Sequence, residues 1–257
     1  MNAPPPPDPL AAPSPPLEVY LLGSVDFDDI QQLQRRLVYE LGDRDRPCGG
    51  ALVLCEHPPT ISVGRAGSRA HILADDDELR ARGIRVRWVN RGGGCILHLP
   101  GQLVGYLVLP LERAGLDVQG LVAGLQRVLI GVLAEFDLVG HARPGETGLF
   151  LGQSRVATVG VAVNRWIGYH GFTLNVATFL EPFDLIDPRS GLRPGQLPAR
   201  EASMESWRQR PAPMATVREA VIRHVEAAFG LQRHHLYTHH PLIRPKVGTH
   251  AYAQSLG

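Results

Sequence analysis

The chain lacks several features that mark large classes of protein. Its formal net charge is only +1 over 257 residues. Without an excess of one sign there is no electrostatic footprint for nucleic acid or for an anionic membrane surface, so neither is expected as a partner. No apolar run reaches the roughly 20 residues of a membrane-spanning helix. The N-terminus has no cationic segment followed by an apolar one, which predicts no signal peptide. Cysteine is scarce: Cys48, Cys55 and Cys95 are an odd three in a long chain. That count fits a reducing cytoplasm better than a disulfide scaffold. Two glycine fingerprints are also missing. No G-x-G-x-x-G opens a helix, and no glycine loop ends in Lys-Ser or Lys-Thr, so no dinucleotide or P-loop phosphate site is expected.

A hydrophobic share of 44% in 257 residues suffices for one sizeable core. Residues 1–16 are rich in proline and alanine, with Pro4 to Pro7 consecutive. Such a stretch buries too little apolar surface to offset its ordering, and it is expected to be a disordered tail. The folded domain is expected over 17–232, with 233–257 as a C-terminal tail. There the His234-His235 and His239-His240 pairs hint at metal, but they lack a carboxylate or thiolate partner in register, so no metal is assigned.

Hydrophobic periodicity predicts strands at Leu17–Leu22, Ala51–Cys55, Thr60–Val63, Thr147–Leu151, Arg155–Val163 and Trp166–Val176. Ile84 to Val89 is strand-like, and Leu107 to Leu111 is an apolar run. Helices are predicted at Asp28–Leu41, Asp117–Phe136 and Thr216–Phe229, the last opened by a Thr216-x-x-Glu219 capping box. Gly120, Gly124 and Gly131 inside the second helix point to close packing. Several strands are consecutive, so an α+β fold with mixed β-sheets and packed helices is expected, not a doubly wound parallel sheet.

The most informative stretch runs from Arg91-Gly92-Gly93-Gly94-Cys95-Ile96-Leu97-His98 through a Pro100-Gly101 turn to Gln102 and Tyr106. Glycines without a Cβ let a ligand lie against bare backbone N–H groups, and Arg91 and His98 bracket that surface. Further elements are Ser154 to Val161, Trp166 to Val176 with His170-Gly171-Phe172-Thr173, and Phe183 to Gly191. Glu56-His57-Pro58-Pro59 with Gly64-Arg65, and Pro144-Gly145 with Gly148, complete the set.

Together and in this order, these segments resemble the lipoyl(octanoyl) transferases of the biotin/lipoate protein ligase superfamily, from about Val19 to about Ser206. The resemblance implies a biotin/lipoate protein ligase-like catalytic domain. It implies transfer of an octanoyl group from acyl carrier protein to a lysine of lipoyl domains or of the glycine cleavage H protein, with no cofactor. It places the acyl chain in a tunnel held by Arg91 to His98, Thr158-Val159-Gly160 and Gly171-Phe172-Thr173. Leu97, Val159 and Phe172 are candidate walls, although each suits an ordinary core position as well. His170 is expected beside the pocket, orienting the substrate carbonyl.

The family's catalytic dyad is missing. Its Pro-Cys-Gly motif reads Pro188-Arg189-Ser190 here, and counting without gaps puts Arg189 at the nucleophile's position. Its Lys-Ile-Ala-Ala-x-Gly motif reads Arg155-Val156-Ala157-Thr158-Val159-Gly160, which puts Arg155 at the lysine's position. A guanidinium is neither a nucleophile nor a proton shuttle at accessible pH. Two arginines facing one another in a slot would repel unless an anion lay between them. The family's Thr-Ser-Leu-like segment downstream is also lost, and the chain reads Leu192 to Pro198 there. Ser190 and Cys95 are candidate displaced nucleophiles, with Cys95 equally suited to a small buried strand position. Direct attack by the acceptor lysine needs neither. Two readings stay open from sequence: an octanoyltransferase of altered mechanism, or an inactive relative that binds an acyl chain, acyl carrier protein or a lipoyl domain.

Overall fold

The computed structural model describes residues 15–43 and 48–243, so most of the two tails lies outside the described residues. In chain order the elements are β1 (Leu17–Ser24), α1 (Phe27–Leu41), β2 (Gly50–Glu56), β3 (Thr60–Val63), α2 (Asp76–Ala81), β4 (Arg85–Trp88), β5 (Cys95–His98) and β6 (Gln102–Pro110). There follow α3 (Leu111–Ala114), α4 (Val118–Glu135), β7 (Gly140–Ala142), β8 (Gly148–Leu151), β9 (Ser154–Asn164) and β10 (Ile167–Asn175). The last are α5 (Met204–Arg208), α6 (Met214–Phe229) and β11 (His234–Tyr237).

The strands form an eight-stranded sheet, β11-β1-β2-β6-β10-β9-β8-β7, and a three-stranded sheet, β4-β3-β5. β1 runs parallel to both β11 and β2, whereas β2, β6, β10, β9, β8 and β7 pair antiparallel in turn. The sheets are mixed, and the α+β expectation holds.

Each face of the large sheet carries its own core. On one face lie α4 and α6, with Leu125, Val128, Leu129, Val132, Val217 and Val221 packed against Leu103, Leu107, Val159 and Phe172. Each of these buried side chains contributes about 1.5–3 kcal/mol relative to exposure. On the other face α1 places Ile30, Leu33, Leu37 and Leu41 against Val53, Val104 and Tyr106. A third cluster seats the small sheet through Ile61, Val63, Cys95 and Leu97.

α4 is long and apolar enough by composition alone to cross a membrane. Here it lies between the sheet and α6, with seven of its residues buried. Its glycines serve that packing: a Cβ on Gly124 would sit 2.7 Å from the Phe229 ring, and one on Gly131 2.4 Å from His224.

Two expectations are corrected. α6 starts at Met214, two residues before Thr216, with Pro213 as its cap and no side-chain capping bond, so no Thr216–Glu219 capping box forms. The chain past 232 does not leave the domain at once. Leu17 to Tyr20 pair with His234 to Tyr237, which adds an edge strand to the large sheet. Among the described residues no group of three His, Cys, Asp or Glu side chains could hold a metal ion, and His234 Nδ1 instead meets Glu226 Oε1 at 2.8 Å.

Candidate active site

A narrow cavity lies between the small sheet and the large one. Its walls are Thr158 and Gly160 of β9, His170 to Thr173 of β10, Val104 and Tyr106 of β6, and Ser62, Val89, Arg91, Ile96, His98 and Phe27 opposite. Parts of three segments far apart in sequence thus meet around one cavity. Arg91, Ile96, His98, Thr158, Gly160, His170, Gly171, Phe172 and Thr173 line the space. Leu97 and Val159 do not: alternation along β5 and β9 turns them into the small-sheet and large-sheet cores. The cavity holds about 20 Å³. That is room for roughly one water molecule, so an alkyl chain must part the walls.

The glycines bring backbone to backbone. A Cβ on Gly94 would meet Ser190 at 2.5 Å, and one on Gly64 would meet the Gly93 carbonyl at 2.5 Å. Gly92 donates to Val161 O at 2.9 Å, while the carbonyls of Arg91, Gly93 and Gly94 accept from Arg65, Ala66 and Gly64 at 3.0 Å. Gly92, Gly93 and Gly94 therefore build the junction of three loops and lie outside the lining of the cavity.

Arg91 is the principal charged group in the cavity wall. Its guanidinium is buried and donates to Ser62 O at 2.7 Å, Ser62 Oγ at 2.8 Å and Gly92 O at 2.9 Å. None of these partners is a carboxylate, and burial lowers the arginine's pKa to about 10. From Ser62 a hydrogen-bonded chain continues. Ser62 Oγ lies 2.9 Å from His98 Nε2, and His98 Nδ1 lies 3.1 Å from Gln102 Oε1. Because Gln102 Oε1 can only accept, the His98 proton is on Nδ1, and Nε2 accepts from the Ser62 hydroxyl. Gln102 Nε2 donates to Asn175 Oδ1 at 2.9 Å, Asn175 Nδ2 to Glu201 Oε2 at 3.2 Å, and Arg155 Nε to Glu201 Oε1 at 2.8 Å. Burial, reinforced by His57 and Arg91, holds His98 well below the usual histidine range.

His170 sits at φ 61° where the β10–β6 register skips between Gly168 and Gly171. Its N–H donates to Gln34 Oε1 at 2.9 Å, and Nε2 donates to Asn90 Oδ1 at 3.2 Å. Burial, with Arg91 and Arg65 nearby, pushes its pKa down to about 3. A histidine that acidic is a poor general base at neutral pH. Behind the cavity, His57 donates from Nδ1 to Val25 O and accepts from the Tyr106 hydroxyl at Nε2, both at 2.7 Å.

The two substituted dyad positions do not face one another. Arg155 is tied to Glu201, whereas Arg189 extends into solvent, 76% exposed, and pairs with Asp187 at 3.1 Å. No anion-binding arginine pair exists, because each guanidinium already has its own carboxylate. Ser190, one residue on, reaches the glycine-rich junction, where its Oγ accepts from the Cys95 N–H at 2.8 Å. Among the described residues no histidine or carboxylate bonds its hydroxyl. Cys95 turns its thiol into the small-sheet core, 3.7 Å from Ser68 O. Of the two neighbours, Ser190 and not Arg189 therefore reaches the glycine-rich junction. Ser62, Gln102, Asn175, Glu201, Tyr106 and Phe27 were given no role from sequence, although Gln102 and Tyr106 fall in the Arg91–Tyr106 stretch and Asn175 in the Trp166–Val176 element. A polar residue inside an otherwise apolar strand, as at Ser62 and Gln102, was the signal that could have marked two of them.

This topology, with two mixed sheets enclosing a narrow slot, is that of lipoate-protein ligases. The bi-partite lipoate protein ligase of Thermoplasma acidophilum superposes with a TM-score of 0.67 at 16% identity, covering 87% of this chain and 88% of that one. Lipoate-protein ligase A bound with ATP superposes at 0.65 and 15% identity, covering 88% and 90%. At the level of sequence, residues 27–226 match the lipoyl protein ligase A/B catalytic domain family, and the chain belongs to that family. Its relatives include the octanoyltransferase of Geobacter metallireducens, 37% identical over 200 residues (78% of this chain and 87% of the relative). The octanoyltransferase of Geotalea uraniireducens is 40% identical over 167 residues, covering 65% and 74%.

Proposed function

We propose that the protein is an octanoyltransferase of lipoate biosynthesis. It takes octanoyl from an acyl carrier protein thioester and passes it to a lysine of a lipoyl domain or of the glycine cleavage H protein, in the cytoplasm. Its octanoyltransferase relatives cover most of the chain, and they favour this reading over an inactive binding relative. The observation that carries it mechanistically is Arg91, a buried guanidinium bonded only to neutral oxygens at the wall of the slot. A charge held there is worth far more than in water, and on this reading it stabilises the negative charge that a bound thioester oxygen gains.

Neither Ser190 nor Cys95 has a base beside it, and an arginine at 155 or 189 cannot serve as one. The reading is therefore direct transfer. The neutral lysine amine attacks the thioester carbonyl, the N–C bond forms, the C–S bond breaks, and the amine's proton leaves with the thiol. Arg91 polarises the carbonyl, and neutral His170, whose one ring N–H is given to Asn90, packs beside it as a wall of the slot. Intact-mass spectrometry tests this after incubation with octanoyl-acyl carrier protein and then a lipoyl domain. Octanoylated lipoyl domain with no adduct on this protein is the expected result. An adduct mapped to Ser190 or Cys95 replaces direct transfer with a relocated nucleophile. Carrier binding without acylated lipoyl domain refutes catalysis.

A further inference from the structure

Strand order gives the slot a direction. Arg91 packs on Gly160 of β9, with its Cδ 3.2 Å from where a Cβ would lie. Phe27 lies towards the other end, its ring 5.2 Å from both His57 and His98, and His57 in turn packs 5.9 Å from the Tyr106 ring of β6. β10 lies between β9 and β6, so the carbonyl end and the far end are two strand spacings apart, about 10 Å. An extended chain advances roughly 1.2 Å per bond, so the seven C–C bonds of an octanoyl group span about 8 Å. The span from Arg91 to Phe27 matches the chain length once the walls part to admit it, and Phe27 stands where the terminal methyl would arrive.

Behind Phe27 is a second, larger space of about 520 Å³ between α1, β4 and the β9–β10 end. Phe27 and Val89 are the residues that line both spaces. The outer groove is polar: it is bordered by Gln31 and Gln34, whose Nε2 atoms are buried without a partner. A methyl end pushed into it would meet unsatisfied amide donors and water. The remaining far-end groups are pinned, since His57 and Tyr106 are hydrogen-bonded to each other and to Val25. Phe27 is held by ring packing alone, is only 3% exposed, and has open groove behind it.

We propose that Phe27 is the end-stop of the acyl slot and sets the length of the chain that is transferred. The proposal rests on the octanoyl-transfer reading for the identity of the chain. It assigns a specificity-determining residue that makes no contact with the reacting atoms.

The test is a donor series of six- to fourteen-carbon acyl thioesters with the wild-type protein, Phe27→Ala and Phe27→Trp. Phe27→Ala is expected to raise the kcat/KM ratio of twelve-carbon to eight-carbon donor by about tenfold, less than the full transfer energy of four methylenes because the groove is polar. Phe27→Trp is expected to shift the optimum towards six carbons. Equal losses at every length, or an unmoved optimum in both variants, overturn the proposal. Phe27→Leu keeps most of the packing and is expected to give an intermediate shift, so a poorly folded alanine variant does not decide the matter. Calorimetric binding of the matching free carboxylates separates the two readings. A length cut-off that moves with residue 27 while no lipoyl domain is modified refutes transfer and keeps the end-stop. Transfer with an unmoved cut-off refutes the end-stop alone.

Discussion

At the scale of single residues, the site depends on which arginine is buried. Arg91 is buried and bonded to neutral oxygens, whereas Arg189 lies in solvent against Asp187. Removing one preorganised donor to a developing oxyanion typically costs 10²–10³ in rate. Arg91→Met is therefore expected to lower kcat/KM for octanoyl transfer by about a hundredfold or more, with circular dichroism confirming the fold. Arg189→Ala is expected to change it by less than about twofold, because a solvated ion pair contributes little. If steady-state kinetics showed the reverse order, Arg91 would lose its assigned role. Sequence made this difference hard to see. Counting placed Arg189 at the nucleophile's position, but the fold turns its side chain into solvent and brings Ser190 to the junction instead, which spacing alone cannot show. The missing lysine was legible. No lysine occurs among residues 1–245, so nothing described here can replace the one at position 155.

At the scale of elements, the glycines decide what can pack. A Cβ on Gly171 would lie 2.1 Å from the Gly105 carbonyl, where β10 meets β6. Backbone in the middle of a sheet cannot yield by a rotamer change. Gly171→Ala is expected to cost more than about 3 kcal/mol and to appear in the insoluble fraction. Gly124 is different, since its added methyl meets the Phe229 ring, a side chain that can shift. Overpacking of roughly 1–3 kcal/mol is partly offset by about 1 kcal/mol of helix propensity. Gly124→Ala should therefore lose no more than about 2 kcal/mol in urea unfolding; a stabilised variant would show that the helix pair is looser than it looks. These elements were largely legible: period-two alternation located β3 at Thr60–Val63, and period 3.6 located α4 within a residue at each end. What failed was local. The start of α6 follows Pro213, whose fixed φ suits a helix entry without a side-chain cap. The edge strand β11 has four exposed residues and no apolar alternation, and only its pairing to β1 defines it.

At the scale of the molecule, the polar chain from Arg91 through Ser62, His98, Gln102, Asn175 and Glu201 to Arg155 ties the small sheet to the large one. Its order was not legible, because each residue is unremarkable in its own segment and only the meeting of the two sheets joins them. It requires a neutral His98, and the cavity likewise holds a neutral His170. Both histidines have folded pKa values depressed below 6.5, His170 to about 3 and His98 well below the usual range, chiefly because burial disfavours the charged ring. Above the unfolded pKa the two states bind equal numbers of protons at these sites. Below it, the unfolded chain binds up to two protons that the native protein does not, so stability falls as the pH drops from about 6.5 towards 3. The limiting slope is about 1.4 kcal/mol per pH unit for each histidine. Paired carboxylates such as Asp28 and Asp187, held low by Arg87 and Arg189, add the same sign of loss below about pH 4. Thermal unfolding of the wild-type protein should therefore shift to lower temperature steadily between pH 6.5 and 4.5. His170→Asn does not titrate, and it should remove roughly half of that dependence while leaving the carboxylate contribution below pH 4. A melting temperature flat across pH 6.5 to 4.5 would mean that His170 and His98 already carry protons in the folded protein, and that the hydrogen-bonded chain runs in the opposite sense.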